Sequence, residues 1–417
     1  MKKGIIIVLA ALLTVSVAFA QETPAKFKLY GFIRNYISAD TRAVSAGTED
    51  LYFYMPKGKA MTDGFDANAG FNWRFVSLTT RLGLDVSGYK FGTMGVSGKV
   101  EADFYNLSSN VPILRLRQAF MKLTWDESPV ALTIGQTWHP MAADMPHMTN
   151  LETGAPFNPF NRSPQATLDY KAGDFTFTAS LLYLTHYLPT GPAGKSKDSY
   201  KYGLPEFYAG VTYKSGKFTG KLGVDMVNLR PYRTIEDWRV VPGSSDPAKT
   251  IEVKSLLTTV SPFVFVQYTD GLFQLRAKSI LAQGGEHMNL LSGYGISSYN
   301  EDGTITYTPM QDWASFVSFQ YGKKFQVMGM LGYMKQLGTT KDVTTIWINN
   351  SADQRIQQAF RATPTVAWNL GKFTVSLEYN FTAAEFGSGV RDARGMFNGD
   401  KEWILNHRFI CMTKFNF

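Results

Sequence analysis

The sequence predicts an all-β fold: a transmembrane antiparallel β-barrel of sixteen strands, with short periplasmic turns and long extracellular loops. Three observations carry this expectation. From Phe27 onward, stretches of about ten to fourteen residues alternate apolar and polar side chains, the length a tilted strand needs to cross a bilayer. Seven short turns alternate strictly with eight longer polar or Gly/Pro-rich connections, which joins an even number of strands and leaves both chain termini on the side of the turns. Aromatic residues make up 14% and charged residues 18% of the chain, which excludes disordered and coiled-coil classes.

Other classes fall on similar grounds. One Cys in 417 residues excludes a disulfide scaffold and any Cys-based zinc module. A mean hydropathy of -0.14, with no long apolar run after the N-terminal segment, excludes a helical membrane protein but not a barrel, whose strands average to near-neutral hydropathy.

Residues 1–20 read as an export signal, with Lys2 and Lys3 as the basic region, Ile5 to Val17 as the apolar region and Ala18-Phe19-Ala20 as the cleavage site. Residues 21–417 are then one barrel domain. Removal of the signal takes the formal charge from +8 to +6 through the loss of Lys2 and Lys3. No clustered basic stripe accompanies that charge, so a nucleic-acid partner is excluded.

The strands are expected near 27–37, 76–88, 92–105, 113–126, 130–141, 164–172, 175–188, 205–214, 217–230, 253–269, 272–283, 312–321, 324–336, 354–369, 372–385 and 402–417. Turn chemistry such as Lys214-Ser-Gly216-Lys217 and Asn369-Leu-Gly371-Lys372 separates the pairs on one side. Tyr213, Phe218, Tyr268, Phe273, Tyr321, Phe325, Trp368, Phe373 and Trp125 flank these turns as an interfacial girdle. The last strand places Trp403, Leu405, His407, Phe409, Cys411, Thr413, Phe415 and Phe417 on one face. A terminal Phe417 after such a face matches the signal that the bacterial barrel-assembly machinery reads.

If the apolar face meets lipid and lipopolysaccharide, the charged face lines the interior. That face carries Arg34, Arg81, Arg115, Arg117, Arg276, Lys278 and Arg361, a basic surplus that would draw small anionic solutes along a water-filled path. Alternation breaks within Leu114-Arg-Leu-Arg117-Gln-Ala-Phe120, so a bulge is expected there. The third long connection, 142–163, holds three prolines beside Met145, Met148, Phe157 and Phe160. Those apolar residues find a surface if the loop folds into the barrel, where Asp144, His147, Glu152 and Arg162 would sit at a constriction. The alternative is a loop lying over the barrel mouth or against a neighbouring subunit. Segment 38–75 is read as a cap over the outer mouth or a subunit contact.

An outer-membrane enzyme needs a gathered catalytic constellation. The five histidines, His139, His147, His186, His287 and His407, lie in different elements and share no metal-ligand spacing, so no catalytic residue, metal or cofactor is assigned. A closed barrel serving as adhesin or anchor needs fewer strands than sixteen, a number that leaves room for a channel.

At Tyr30-Gly-Phe-Ile-Arg34, Thr80-Arg-Leu-Gly-Leu-Asp-Val86, Leu114-Arg-Leu-Arg-Gln-Ala-Phe120 and Gly135-Gln-Thr-Trp-His139, the chain resembles the DcaP-like branch of Gram-negative porins, related to phosphate-selective porins. That resemblance implies a homotrimeric sixteen-stranded outer-membrane porin passing small, often anionic solutes, with the paired arginines of its Arg-x-Arg motif at Arg115 and Arg117. The chain departs from that family in the short stretch from Gln21 to Lys26, which leaves no room for an N-terminal periplasmic coiled coil.

Overall fold

Side-chain alternation, read strand by strand, sorts this chain into an apolar exterior and a polar interior, and the backbone closes around that division. The computed structural model describes residues 25–106, 112–240, 249–349 and 352–417. The export signal expected at 1–20 lies outside them. Among the described residues, sixteen barrel strands follow in chain order: β1 (Lys26–Arg42), β2 (Ala69–Val76 and Arg81–Phe91), β3 (Met94–Tyr105), β4 (Ile113–Trp125), β5 (Val130–Trp138), β6 (Arg162–Ala172), β7 (Phe175–Leu182), β8 (Leu204–Ser215), β9 (Phe218–Leu229), β10 (Leu257–Asp270), β11 (Phe273–Gln283), β12 (Ile305–Gly322), β13 (Phe325–Thr339), β14 (Ile356–Ala362 and Thr365–Leu370), β15 (Phe373–Gly387) and β16 (Lys401–Asn416). Each pairs antiparallel with the next, and β16 returns to β1 from Phe32↔Asn416 to Asp40↔Arg408, so the sheet has no open edge.

The main departures from expectation lie at the loop ends. β1 runs on to Arg42, β2 begins at Ala69 and β12 at Ile305, whereas β5 stops at Trp138 and β7 at Leu182. Thr363-Pro364 interrupts β14, because proline brings no N–H to the ladder.

Alternation is visible in exposure. On β16, Ile404, Asn406, Arg408, Ile410 and Met412 are buried, while Trp403, Leu405, Phe409 and Phe415 are exposed. His407 takes the exterior phase, accepting or donating at Nδ1 to the Tyr379 hydroxyl (2.6 Å). Phe417 closes the seam by backbone pairing with Gly31. At the turn end, aromatic residues meet across strands in register: Phe175↔Tyr213, Phe218↔Tyr268, Phe273↔Tyr321 and Phe325↔Trp368. Such pairs stabilise the sheet where an amphipathic ring can be half wet.

The expected bulge falls at Arg117. Glu101 pairs with Gln118 but the neighbouring Ala102 pairs with Leu116, so one residue of β4 is unpaired. Arg115, Arg117 and Gln118 all turn inward, and Leu114 and Leu116 stay outside.

The interior is partly filled. Phe263, Phe265, Ile280, Phe316, Met330 and Met334, all on inward phases of β10–β13, form one apolar cluster with Met141, Met148 and Phe157 of the third long connection and with Tyr54 and Met55 of the first. This filling leaves the open space elsewhere in the lumen.

Candidate functional site

The third long connection lies inside the barrel, not over its mouth. Prolines deny it a regular strand, and its apolar residues find the cluster just described: Phe157 is 0% exposed and Met148 4%. The fit is close. A Cβ on Gly332 would sit 2.5 Å from the Phe157 ring, and one on Gly154, which has a φ of +66°, would sit 2.5 Å from Pro146. Glycine is required at both points of approach.

Polar anchors come from around the wall. Lys221 pairs with Asp144 at 2.7 Å. Arg276 donates to the Met145 carbonyl at 2.7 Å, and Lys278 donates to the Met141 carbonyl and to Asn158 Oδ1, both at 2.8 Å. Arg361 donates to the carbonyls of Ala155 and Tyr54, each at 2.8 Å. Tyr36 donates to the Thr149 carbonyl (3.0 Å), and the Thr149 amide donates to Glu378. Leu151 and Glu152 then take positive φ values of 52° and 58°, a strained turn that points Glu152 at Arg34 (3.6 Å) and Lys414 (3.5 Å).

Two cavities of about 440 Å³ each lie on either side of this turn and share Trp138, Met145 and Glu152 as wall. The outer one is bounded by Arg34, Arg81, Arg115 and Arg117, with Asp103 and Glu152 as the acidic residues and Tyr52, Tyr105 and Tyr187 as aromatics. The inner one reaches Gln320, Gln326 and Asn369 beside the short turns and carries Arg276, His147 and Lys414.

The arginines are held in a ladder. Arg115 grips Asp103 with two bonds of 3.0 and 2.9 Å, and Arg117 bridges Glu101 (2.8 Å) and Asp103 (2.6 Å). Arg81 lies 3.7 Å from Glu101, and Arg34 donates to the Thr79 hydroxyl. Four arginines line the outer wall against the carboxylates of Asp103 and Glu152, with Glu101 paired behind Arg81 and Arg117. In the loop, burial disfavours the charge on Glu152, but Arg34, Lys414 and Arg81 outweigh it and hold the carboxyl below its ordinary range. Burial, and then the neighbouring Arg276, lowers His147 to about 4.

The sequence-derived candidates divide accordingly. Arg34, Arg81, Arg115, Arg117, Arg276, His147 and Glu152 border the cavities. Lys278 and Arg361 face inward but are 2% and 1% exposed, because they are consumed in anchoring the loop and not free along a path. Asp144 is tied to Lys221. Arg162 opens β6 and is buried against Trp138 (4.8 Å) and Phe160 (5.4 Å). Segment 38–75 is no simple cap: Leu51, Phe53, Tyr54 and Met55 within it are buried in the interior.

Trp138 and Met145, where the cavities adjoin, were not singled out as site residues by alternation, although Trp138 stands in the Gly135-to-His139 motif that carried the resemblance. One buried group is not legible from residue spacing. His139, Glu206 and Asp225 bring ligand atoms within 4.8 Å of one another, all buried. Local spacing cannot show this, since the register of β8 and β9 and the start of the third long connection assemble it.

No family model matches the chain, and no curated protein matches it. Solved structures do. The outer membrane channel DcaP of Acinetobacter baumannii aligns over 96% of this chain and 100% of its own, with a TM-score of 0.64 and 18% identity. In-vitro folded OmpT, an outer membrane protein of Vibrio cholerae, covers 96% of this chain and 100% of its own at a TM-score of 0.53 and 11% identity. Its trimer form covers 94% of this chain and 99% of its own at 0.50 and 12%. The resemblance read from four short motifs therefore extends over 96% of the chain as a shared fold, a closed antiparallel β-barrel like those of outer-membrane channels.

Proposed function

We propose that this barrel is a water-filled channel for passive diffusion of small hydrophilic solutes, with a preference for anions. The carrying observation is the pair of cavities above and below the inward loop, which share a wall at Trp138, Met145 and Glu152. The outer cavity's surplus of arginine over carboxylate supports the anion preference, because charge along a narrow, low-dielectric path concentrates counter-ions. Its planar guanidiniums, clamped by Glu101 and Asp103, stay in place without a solute.

The likeness in fold to the DcaP channel agrees with this reading. By analogy with the trimer form of OmpT, the barrel assembles as a homotrimer through its sides. Phe71, Trp73 and Phe75, exposed on the upper half of β2 beside β1, belong to that flank. The enzyme reading is the weaker one: the histidine–carboxylate group borders neither cavity, so no solute on the path reaches it.

Liposome swelling tests the proposal. Vesicles holding the folded protein should swell in small neutral sugars, and faster in monocarboxylates of matched size. No swelling with either would favour a closed barrel serving as an anchor or adhesin.

A further inference from the structure

We propose that His139, Glu206, Asp225 and His287 bind one divalent transition-metal ion of the zinc class, set in the barrel wall behind the inward loop. The four residues come from four places: the start of the third long connection, β8, β9 and the short 3₁₀ turn Gly285–Met288. Their side chains are 0–1% exposed.

The geometry has the size of a metal site. His139 Nε2 lies 2.8 Å from Glu206 Oε1 and 3.5 Å from Asp225 Oδ1. His287 Nε2 lies 3.1 Å from Asp225 Oδ2 and 3.8 Å from Glu206 Oε1. A tetrahedral zinc site with bonds of about 2.1 Å has ligand–ligand edges of about 3.4 Å, and these four imidazole–carboxylate distances bracket that value. The ligand atoms of His139, Glu206 and Asp225 already lie within 4.8 Å of one another, and His287 approaches both carboxylates as the fourth donor. Two imidazoles and two carboxylates are also donors that suit zinc.

Hydrogen bonding points the same way. Glu206 Oε2 and Asp225 Oδ1 are buried with no hydrogen-bond partner among the described residues. His287 donates from Nδ1 to the Gly284 carbonyl (3.4 Å), the arrangement that presents Nε2 to a metal. His139 differs, because the Met141 amide donates to its Nδ1 at 3.2 Å. A divalent ion with two carboxylates and two neutral imidazoles is electroneutral, so it would offset both buried carboxylates at once. Coordination through His139 Nε2 puts that ring's proton on Nδ1, where the Met141 contact must open.

The consequence is mechanical. A metal here staples the start of the inward loop and the 284–304 connection to β8 and β9. The inference does not depend on the channel reading, since metal content is measured whether or not the protein conducts.

Purified, untagged, folded protein is titrated with Co(II), then with Zn(II). The expected result is one Co(II) per chain with the intense visible bands of a tetrahedral site, displaced by one Zn(II). Asp225→Asn and His287→Gln should each weaken binding by roughly a hundredfold. Heat-modifiable gel migration confirms that each variant is folded, and if Asp225→Asn fails, His287→Gln, on a loop, carries the comparison. Absence of tetrahedral bands in the folded wild type, or equal affinity in wild type and a folded variant, would overturn the proposal and leave a structural ion-pair cluster.

Discussion

Arg361 on β14 donates to the carbonyl of Ala155 at 2.8 Å, joining the far wall of the barrel to the tip of a loop 206 positions earlier in the chain. The same guanidinium donates to Tyr54 of the first long connection and to Thr382 of β15, so one buried charge fixes two loops and a neighbouring strand. Replacing it with Gln leaves several acceptors unpaired. The expected cost is about 2–4 kcal/mol of stability. Urea unfolding in lipid vesicles would show an earlier midpoint, and single-channel traces would show added current noise from a loosened loop; an unchanged midpoint and noise would remove Arg361 from this role.

Gly332 gives the loop its seat. Ala at this position puts a methyl group 2.5 Å from the Phe157 ring, so Phe157 must leave its pocket. Gly332→Ala should change conductance without altering heat-modifiable folding, whereas deletion of 145–158 should raise conductance markedly. Unchanged conductance in the deletion would mean that the loop does not set the narrowest point.

Arg115 and Arg117 supply two of the four basic residues in the outer wall. Serine at both leaves Arg34 and Arg81 against Asp103, Glu152 and the Glu101 behind them, and the salt-gradient reversal potential should lose its anion-selective sign. Because Glu101 and Asp103 lose their partners, folded yield must be checked alongside. A reversal potential identical to wild type would reject their part in selectivity.

His147 supplies a pH test. Its value of about 4, lowered by burial and by Arg276, makes it neutral at physiological pH and cationic only as pH falls through that value. Its protonation adds positive charge to the inner cavity, so the His147-dependent part of the anion preference should be absent between about pH 8 and 5 and appear as pH falls through about 4. His147→Gln should remove that component of the rise; a rise centred near pH 6.5 and abolished by the same variant would contradict the assigned environment.

Much of the barrel was legible because lipid imposes a strict period of two. Trp403 to Phe417 on β16 and the turn-flanking aromatics fall on the expected faces, and even the slip at Arg117 was marked by consecutive inward residues. Strand ends were less legible: Ile305 and Ala69 pair above the lipid-facing part, where nothing forces alternation. The interior was read least well. Phe263, Phe265 and Phe316 occupy inward phases, and no local pattern tells an aqueous wall from one covered by a folded-in loop. Lys278 and Arg361 look like pore charges in sequence but anchor that loop. The histidine–carboxylate group was invisible for the same reason, since its members meet only through tertiary closure.

The most direct test of the central claim is single-channel recording of the purified protein in a planar bilayer, with reversal potential measured across a salt gradient. The account predicts discrete conductance steps and an anion-selective reversal. Steps with cation selectivity would contradict the role given to the arginine wall, and no steps from protein shown to be folded would contradict the channel itself.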